Sequence, residues 1–215
     1  MNNKRFVIML GLLALIVFAT MLIIRSYNPS KKLQMIEQQE LAELAEIKAL
    51  LGEAYSLMAE QQFNAAEKRL HLLLRKAPHN IVALQMLGNI YFIQQKYTEA
   101  EDTFRTLIRI DSQHSINYNN LGQSLAMQGK YTDAIIQLKK AVTLSPDMAQ
   151  PHLNLAEIYI KLNHKKAALR ELQKAFKLEK GKNTITINLQ AFQALKDEKE
   201  FQELININSK QEGKK

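Results

Sequence analysis

The side chains that most often carry chemistry are sparse in this sequence and stand apart from one another. The five histidines form no close pair with metal-ligand spacing, and no His-Glu-x-x-His motif occurs. These histidines are His71, His79, His114, His152 and His164. Cysteine is absent, which excludes disulfide bonds, thiolate metal sites and a cysteine nucleophile. We therefore expect no metal centre and no other cofactor.

Other patterns that can indicate catalysis are incomplete, absent or more simply explained in this sequence. Gly129-Lys130 followed by Thr132 resembles the end of a phosphate-binding loop, but the upstream glycine and the preceding strand are missing. No serine lies in a Gly-x-Ser-x-Gly setting. The carboxylates are spread along predicted helix faces, where pairing with nearby lysines explains them. The sequence predicts no enzyme site.

The formal net charge of +8 does not indicate a nucleic-acid-binding protein. Lys4, Arg5 and Arg25 flank an apolar segment, and the rest of the chain has only a mild basic excess without a dedicated basic patch. One basic run fits a solvated helix face, and contact with anionic lipid or an acidic partner is the alternative. The run comprises Lys161, Lys165, Lys166, Arg170, Lys174, Lys177, Lys180 and Lys182.

The first structural element that the sequence predicts is an N-terminal membrane helix. Residues 6–24 are apolar except for Thr20, which is enough chain to cross a bilayer as a helix. No small-x-small cleavage site precedes Arg25, so we expect residues 1–27 to be an uncleaved anchor, with a cleaved signal peptide as the alternative. Basic residues flank both ends, and orientation is weakly specified. We expect an exported domain, periplasmic at a bacterial inner membrane, with a cytoplasmic orientation left open.

The rest of the chain repeats with a period of 34 residues, and each period contains two apolar stretches, as in a helix–turn–helix unit. Small residues recur where the first helix must approach the second closely. The columns are Ala54/Gly88/Gly122/Ala156, Ala66/Ala100/Ala134/Ala168 and the large Leu70/Phe104/Leu138/Leu172. Asn64, Thr98 and Thr132 are predicted to cap the second helices, with Glu67 and Glu101 completing capping boxes.

The segments LGNIYFIQQKYTEAEDTFRTLIRI and LGQSLAMQGKYTDAIIQLKKAVTLSP resemble the tetratricopeptide repeat family. The resemblance implies an all-α fold, an α-solenoid of four repeats. We place these repeats at 47–80, 81–114, 115–148 and 149–182, together 47–182. A linker and leading helix at 28–46 precede them, and capping helices at 183–208 and a disordered tail at 209–215 follow.

The family resemblance also implies that the first helices of the repeats line a concave peptide-binding groove. A mixture of apolar side chains and carboxamides suits a peptide, because amides both donate to and accept from a main chain. The alternative is that some of these residues only pack against neighbouring helices. The predicted groove residues are Val82, Gln85, Asn89, Phe92, Ile93, Ile116, Asn119, Gln123, Met127, Leu153 and Glu157.

These observations predict a non-catalytic adaptor that holds a protein or peptide partner beside the membrane, in bacterial envelope assembly. Two alternatives stay open. The chain could be a self-associating or scaffolding piece, forming a homo-oligomer, or an accessory subunit of a biogenesis complex such as cytochrome c maturation. We expect no nucleic-acid partner.

Overall fold

The computed structural model of the chain describes residues 13, 15–21, 29–179 and 189–212. It divides into two compact units, Met1–Leu50 and Leu51–Lys215. Every regular element in the described residues is a helix, and none of these residues forms a strand. The prediction of an all-α fold is confirmed.

The N-terminal unit is described only in part. Residues 15–21 are helical and exposed, and within the described ranges no helix is long and apolar enough to span a bilayer. Most of the predicted membrane helix at 6–24 lies outside the described residues. The first long helix is α1 (Pro29–Ala59). Its first residue is proline, which has no N–H. The first N–H groups of a helix have no intrahelical partner, so proline costs no hydrogen bond at this position.

Eight further helices and one 3₁₀ helix follow in the described residues. They are α2 (Phe63–Lys76), α3 (Ile81–Ile93), α4 (Tyr97–Ile110), α5 (Ser115–Met127), α6 (Tyr131–Leu144), α7 (Ala149–Lys161), α8 (Lys165–Glu179), the 3₁₀ helix Leu189–Leu195 and α9 (Lys199–Glu212). The two helices of each of the pairs α3/α4, α5/α6 and α7/α8 pack against each other, and the second helix of a pair packs against the first helix of the next.

The small columns of the repeat form the contact between the two helices of each pair. Ala54, Ala66, Ala100, Ala134, Ala156 and Ala168 have no exposed surface. A Cβ added at Gly88 would lie 2.8 Å from the ring of Phe104, and one at Gly122 would lie 2.7 Å from Cγ of Leu138. The side chains of the large column therefore occupy the space that the small residues leave open.

The predicted caps of the second helices are wrong. Asn64, Thr98 and Thr132 lie inside their helices, because α2, α4 and α6 begin one residue earlier, at an aromatic side chain. Glu67 and Glu101 make no capping box and instead bind Lys96 and Lys130 of the following unit, each at 2.9 Å. Among the helices α2 to α7, only α3 has an N-cap residue whose side chain makes a capping hydrogen bond. Oδ1 of Asn80 accepts this bond from the Ala83 N–H at 2.9 Å.

A left-handed residue follows each of α1, α3, α5 and α7, the first helices of the four units, and explains why the second helix starts earlier than the sequence predicts. The residues are Gln61, Gln95, Gly129 and Asn163, with φ between 59° and 77°. In the turn at Gln95, the N–H of Gln95 donates to the Phe92 carbonyl at 3.0 Å, and the N–H of the next residue, Lys96, donates to the Tyr91 carbonyl at 2.8 Å. This is a Schellman ending, in which a reversed twist satisfies the last carbonyls of a helix.

The 3₁₀ helix and α9 close the apolar core at the C-terminal end. Phe192, Leu195 and Phe201 are buried in one cluster with Leu153 of α7 and Leu172 of α8. Helix α9 continues to Glu212, past residue 209, where the sequence predicts the tail to begin. Residues 213–215 lie outside the described part of the chain.

Candidate functional site

A cleft of about 280 Å³ opens beside the first helices of the first three units. Four predicted groove residues line it, namely Asn89, Phe92, Ile93 and Gln123. The remaining lining residues are Met58, Phe104 and Asn120. The cleft therefore combines apolar side chains with three carboxamides.

The apolar part of the cleft is held in place by packing. Phe104 is fully buried and reaches the cleft because Gly88 leaves room for its ring. Phe92 packs edge-on against Tyr97, with ring centroids 5.5 Å apart. Ile93 is 52% exposed and offers an uncovered apolar surface. The sequence missed Phe104 as a lining residue because its column indicates a core side chain; the facing glycine was the available signal.

The amides beside the cleft form a connected network between the third and fourth units. Nδ2 of Asn154 donates to Oδ1 of Asn119 at 2.8 Å, and Nδ2 of Asn119 donates to Oδ1 of Asn120 at 3.1 Å. Nε2 of Gln123 donates to Oδ1 of Asn154 at 3.2 Å. In the described residues, the side-chain N–H groups of Asn120 and the side-chain carbonyl oxygen of Gln123 have no hydrogen-bond partner. Two of the amides that line the cleft therefore keep donor or acceptor atoms that a ligand can use.

Asn89 supplies a third amide, which differs from the other two because it is not part of this hydrogen-bond network. It is exposed on α3, and no described residue hydrogen-bonds to its side chain. Its donor and acceptor atoms are both open to a ligand.

The other predicted groove residues do not line the cleft. Val82, Ile116 and Met127 are exposed elsewhere on α3 and α5, and Gln85 is half-buried. Asn119 and Leu153 differ from the prediction of a groove surface, because both are buried. Asn119 is covered where its amide bonds to Asn154. Leu153 belongs to the apolar cluster of the C-terminal cap, which the 3₁₀ helix and α9 form.

Glu157 on α7 is half-buried, and burial raises the pKa of its carboxyl, an effect that the cation of Lys161 opposes. Glu157 stands one period after Gln123 and two after Asn89, so it continues the row of first-helix residues that the cleft uses. It is the only ionisable residue among the predicted groove residues.

A buried acid–base pair lies inside the fourth unit. Nδ1 of His152 and Oε2 of Glu171 are 2.6 Å apart, and Lys174 binds the other carboxylate oxygen at 2.8 Å. Burial alone would raise the pKa of Glu171, but the hydrogen bonds from Lys174 and His152 outweigh it and lower the pKa. In the part of the chain that the structure describes, no group of three or more His, Asp or Glu residues is arranged to hold a metal ion.

The basic run extends from Lys161, the last residue of α7, along α8. Its members up to Lys177 are exposed, and Lys165 and Lys174 have carboxylate partners in Glu198 and Glu171. Lys180 and Lys182 lie outside the described residues.

Comparison with known families gives two matches, both described as tetratricopeptide repeat, at residues 79–147 and 125–181. No curated protein matches the sequence. Among solved structures, MamA 41-end from Desulfovibrio magneticus RS-1 is 18% identical, with a TM-score of 0.61, covering 64% of this chain and 77% of that one. A second MamA structure is 19% identical, with a TM-score of 0.65 and coverage of 79% and 94%. Pseudomonas aeruginosa pilF is 20% identical, with a TM-score of 0.57 and coverage of 66% and 64%. Identities this low establish a shared fold only.

Proposed function

Because this chain carries tetratricopeptide repeats, we propose that it is a non-catalytic adaptor whose cleft binds a peptide segment of a partner protein. The observation that carries the proposal is the cleft itself. It places an exposed isoleucine and a packed phenylalanine beside three amides. In the described residues Asn120 keeps its donors, Gln123 its acceptor and Asn89 both kinds of atom without a partner. Apolar side chains supply contact area, and free amides can bind a peptide main chain.

The chemistry within the repeats also favours binding over catalysis. The His152–Glu171 pair is the closest approach to an acid–base couple, but both side chains are largely buried and Lys174 occupies the remaining carboxylate oxygen. A substrate would have no access to the proton between them. We therefore assign the pair a structural role in joining α7 to α8.

We further propose that the chain is tethered to a bacterial inner membrane by residues 6–24 and that the repeats act in the periplasm, in envelope assembly. The support is the apolar sequence of that segment and the lysine and arginine that precede it. Tethering would raise the local concentration of the cleft near membrane-bound partners. Protease treatment of intact spheroplasts tests the orientation: degradation of the repeats supports it, and protection until lysis contradicts it.

The cleft is tested by site-specific photo-crosslinking in cells that express the full chain. A photoreactive amino acid replaces Ile93 in the cleft or, as the matched control, Ile136, a similarly exposed isoleucine on α6. We expect a discrete crosslinked protein at position 93 only, lost when Asn89→Ala and Gln123→Ala are added. Equal crosslinking at both positions, or a product unaffected by the amide variants, would refute the cleft as the binding site.

A second candidate function is self-association through the N-terminal part of α1. Leu33, Ile36, Leu41 and Leu44 recur at helical spacing there and are 44–66% exposed. An apolar stripe of this kind pairs with a second copy in coiled coils. Light scattering on the full chain in detergent tests this, with Leu41→Ser and Leu44→Ser as the comparison. A dimer that the variants convert to monomer supports it, whereas a monomer at every concentration excludes it.

A further inference from the structure

Glu157 is half-buried and differs from Glu101 and Glu171 because it has no hydrogen-bond or ion-pair partner in the described residues. Glu101 receives hydrogen bonds from Arg105, Gln128 and Lys130, and Glu171 from Lys174 and His152. No described residue hydrogen-bonds to Glu157 or forms an ion pair with it. Buried carboxylates in proteins are normally paired, since an unpaired charge is costly to remove from water.

The surroundings of Glu157 do not supply the missing partner. The cation on its own helix, Lys161, lies one turn further on and is exposed, and its electrostatic effect does not offset the burial of the carboxyl. One turn before Glu157, Leu153 is buried in the cluster that contains Phe192 and Leu195 of the 3₁₀ helix. Glu157 therefore lies at the edge of the C-terminal cap, half-buried at the end of the row that begins with Asn89.

The position of Glu157 relative to the cleft fits one bound chain. Neighbouring packed helices lie about 8–10 Å apart, and an extended peptide advances roughly 3.3 Å per residue. The cleft is formed around α3 and α5, and α7 is the next first helix. A peptide that crosses these helices thus passes from the cleft to Glu157 in about three to six residues.

We propose that the groove binds an extended peptide with a lysine or arginine that pairs with Glu157, and with an apolar side chain a few residues away that fills the cleft. This inference rests on the proposed function and adds the chemistry of the partner. Glu157 gains the hydrogen-bonded cation that the repeats do not provide, and the uncharged remainder of the row requires no other ion. The two ends of the groove then recognise different side chains, which fixes the register of the peptide.

The test uses the full chain in nanodiscs and a phage-displayed library of random peptides. We expect the selected peptides to share a large apolar residue and a lysine or arginine at a fixed separation. Glu157→Gln is expected to keep the apolar preference, lose the basic one and bind a synthetic selected peptide about tenfold more weakly. Glu157→Lys is expected to select an acidic residue at the same place. Asp133→Asn, a change at an exposed carboxylate on α6, is the control and should alter nothing.

The outcomes separate this inference from the function on which it rests. If the unmodified chain enriches no peptide, the cleft is not a peptide site and the proposed function fails. If it enriches apolar peptides without a basic residue, or if Glu157→Gln retains the basic preference, the inference alone fails. Circular dichroism verifies folding, which Glu157→Gln should preserve because it removes only an unpaired charge. Ile93→Ser provides the reciprocal variant and should weaken the apolar preference while keeping the basic one.

Discussion

At the scale of single residues, the repeats contain buried polar groups of two kinds, those with partners and those without. Glu101 is the most completely paired. Burial alone would raise the pKa of this carboxyl, but hydrogen bonds from Lys130, Arg105 and Gln128 outweigh burial and lower the pKa to about 2. Asn117 is the opposite case, because it is 1% exposed and neither amide atom has a hydrogen-bond partner in the described residues.

Replacing Glu101 with glutamine should lower the free energy of unfolding at neutral pH by about 1–3 kcal/mol, because Lys130 and Arg105 lose a charged acceptor. Since the folded pKa lies below the usual value of 4.5, this contribution is complete above that pH and disappears as the pH falls toward 2. Urea unfolding of both proteins across this range measures the difference. Glu99→Gln, at an exposed carboxylate in the same helix, is the matched control and should leave the free energy of unfolding at neutral pH nearly unchanged.

Replacing Asn117 with alanine should raise the free energy of unfolding by about 1 kcal/mol, since a buried amide without partners is removed. The equivalent positions in the adjacent units hold Ala83 and Pro151, so an apolar residue fits this place. The control is Asn119→Ala on the same helix, where the amide is buried and paired. That change should destabilise, and equal effects of the two variants would contradict the argument.

At the scale of helices, the distance between the two members of a pair depends on a small residue in the first helix. Gly122 lies against Cγ of Leu138 and the carbonyl oxygen of Ala134, so neither neighbour is the free end of a flexible side chain. The helix pair therefore cannot accept a methyl group here without separating.

Gly122→Ala should reduce the free energy of unfolding by about 1 kcal/mol, because overpacking of this size exceeds the gain in helix propensity. Gly52→Ala tests propensity alone, since an added Cβ at that helical position meets nothing within 4 Å. It should stabilise the protein by up to about 1 kcal/mol. Thermal unfolding of both variants supplies the comparison, and stabilisation by both would show that the pair can separate at little cost.

At the scale of the whole repeat array, successive units are joined by different interactions. Glu67–Lys96 joins the first two units and Glu101–Lys130 the next two, at equivalent positions. The next equivalent pair is Ile135 and His164, which cannot form an ion pair. The hydrogen bonds of Asn154 to Asn119 and Gln123 connect the third unit to the fourth instead.

Asn154→Ala should therefore weaken the attachment of the fourth unit selectively. We expect faster hydrogen exchange in α7 and α8, by about tenfold, while α3 and α4 change little. Asn89→Ala removes an exposed amide with no partner in the described residues and should leave exchange unchanged throughout. Uniform acceleration in all the helices would mean that the array opens as one cooperative unit.

The sequence predicts most of the fold because the repeat is periodic. It predicts residues of the candidate site only where periodicity alone determines whether a side chain is exposed. Helices α3, α5 and α7 begin at Ile81, Ser115 and Ala149, which are also the first residues of the repeats as divided by period. The capping residues were misplaced because the left-handed turn, which a period does not reveal, moves the helix start. Leu153 is buried by the 3₁₀ helix and Asn119 by its bond to Asn154, and neither interaction repeats along the chain.

The turn that closes each first helix has a consequence for engineering. A side chain makes a left-handed backbone unfavourable by roughly 1–2 kcal/mol, yet three of the four turns hold glutamine or asparagine there, and only Gly129 adopts this twist freely. Gln61, Gln95 and Asn163 line neither the cleft nor the row that leads to Glu157. Glycine at these three places would stabilise the repeats without altering the proposed binding surface.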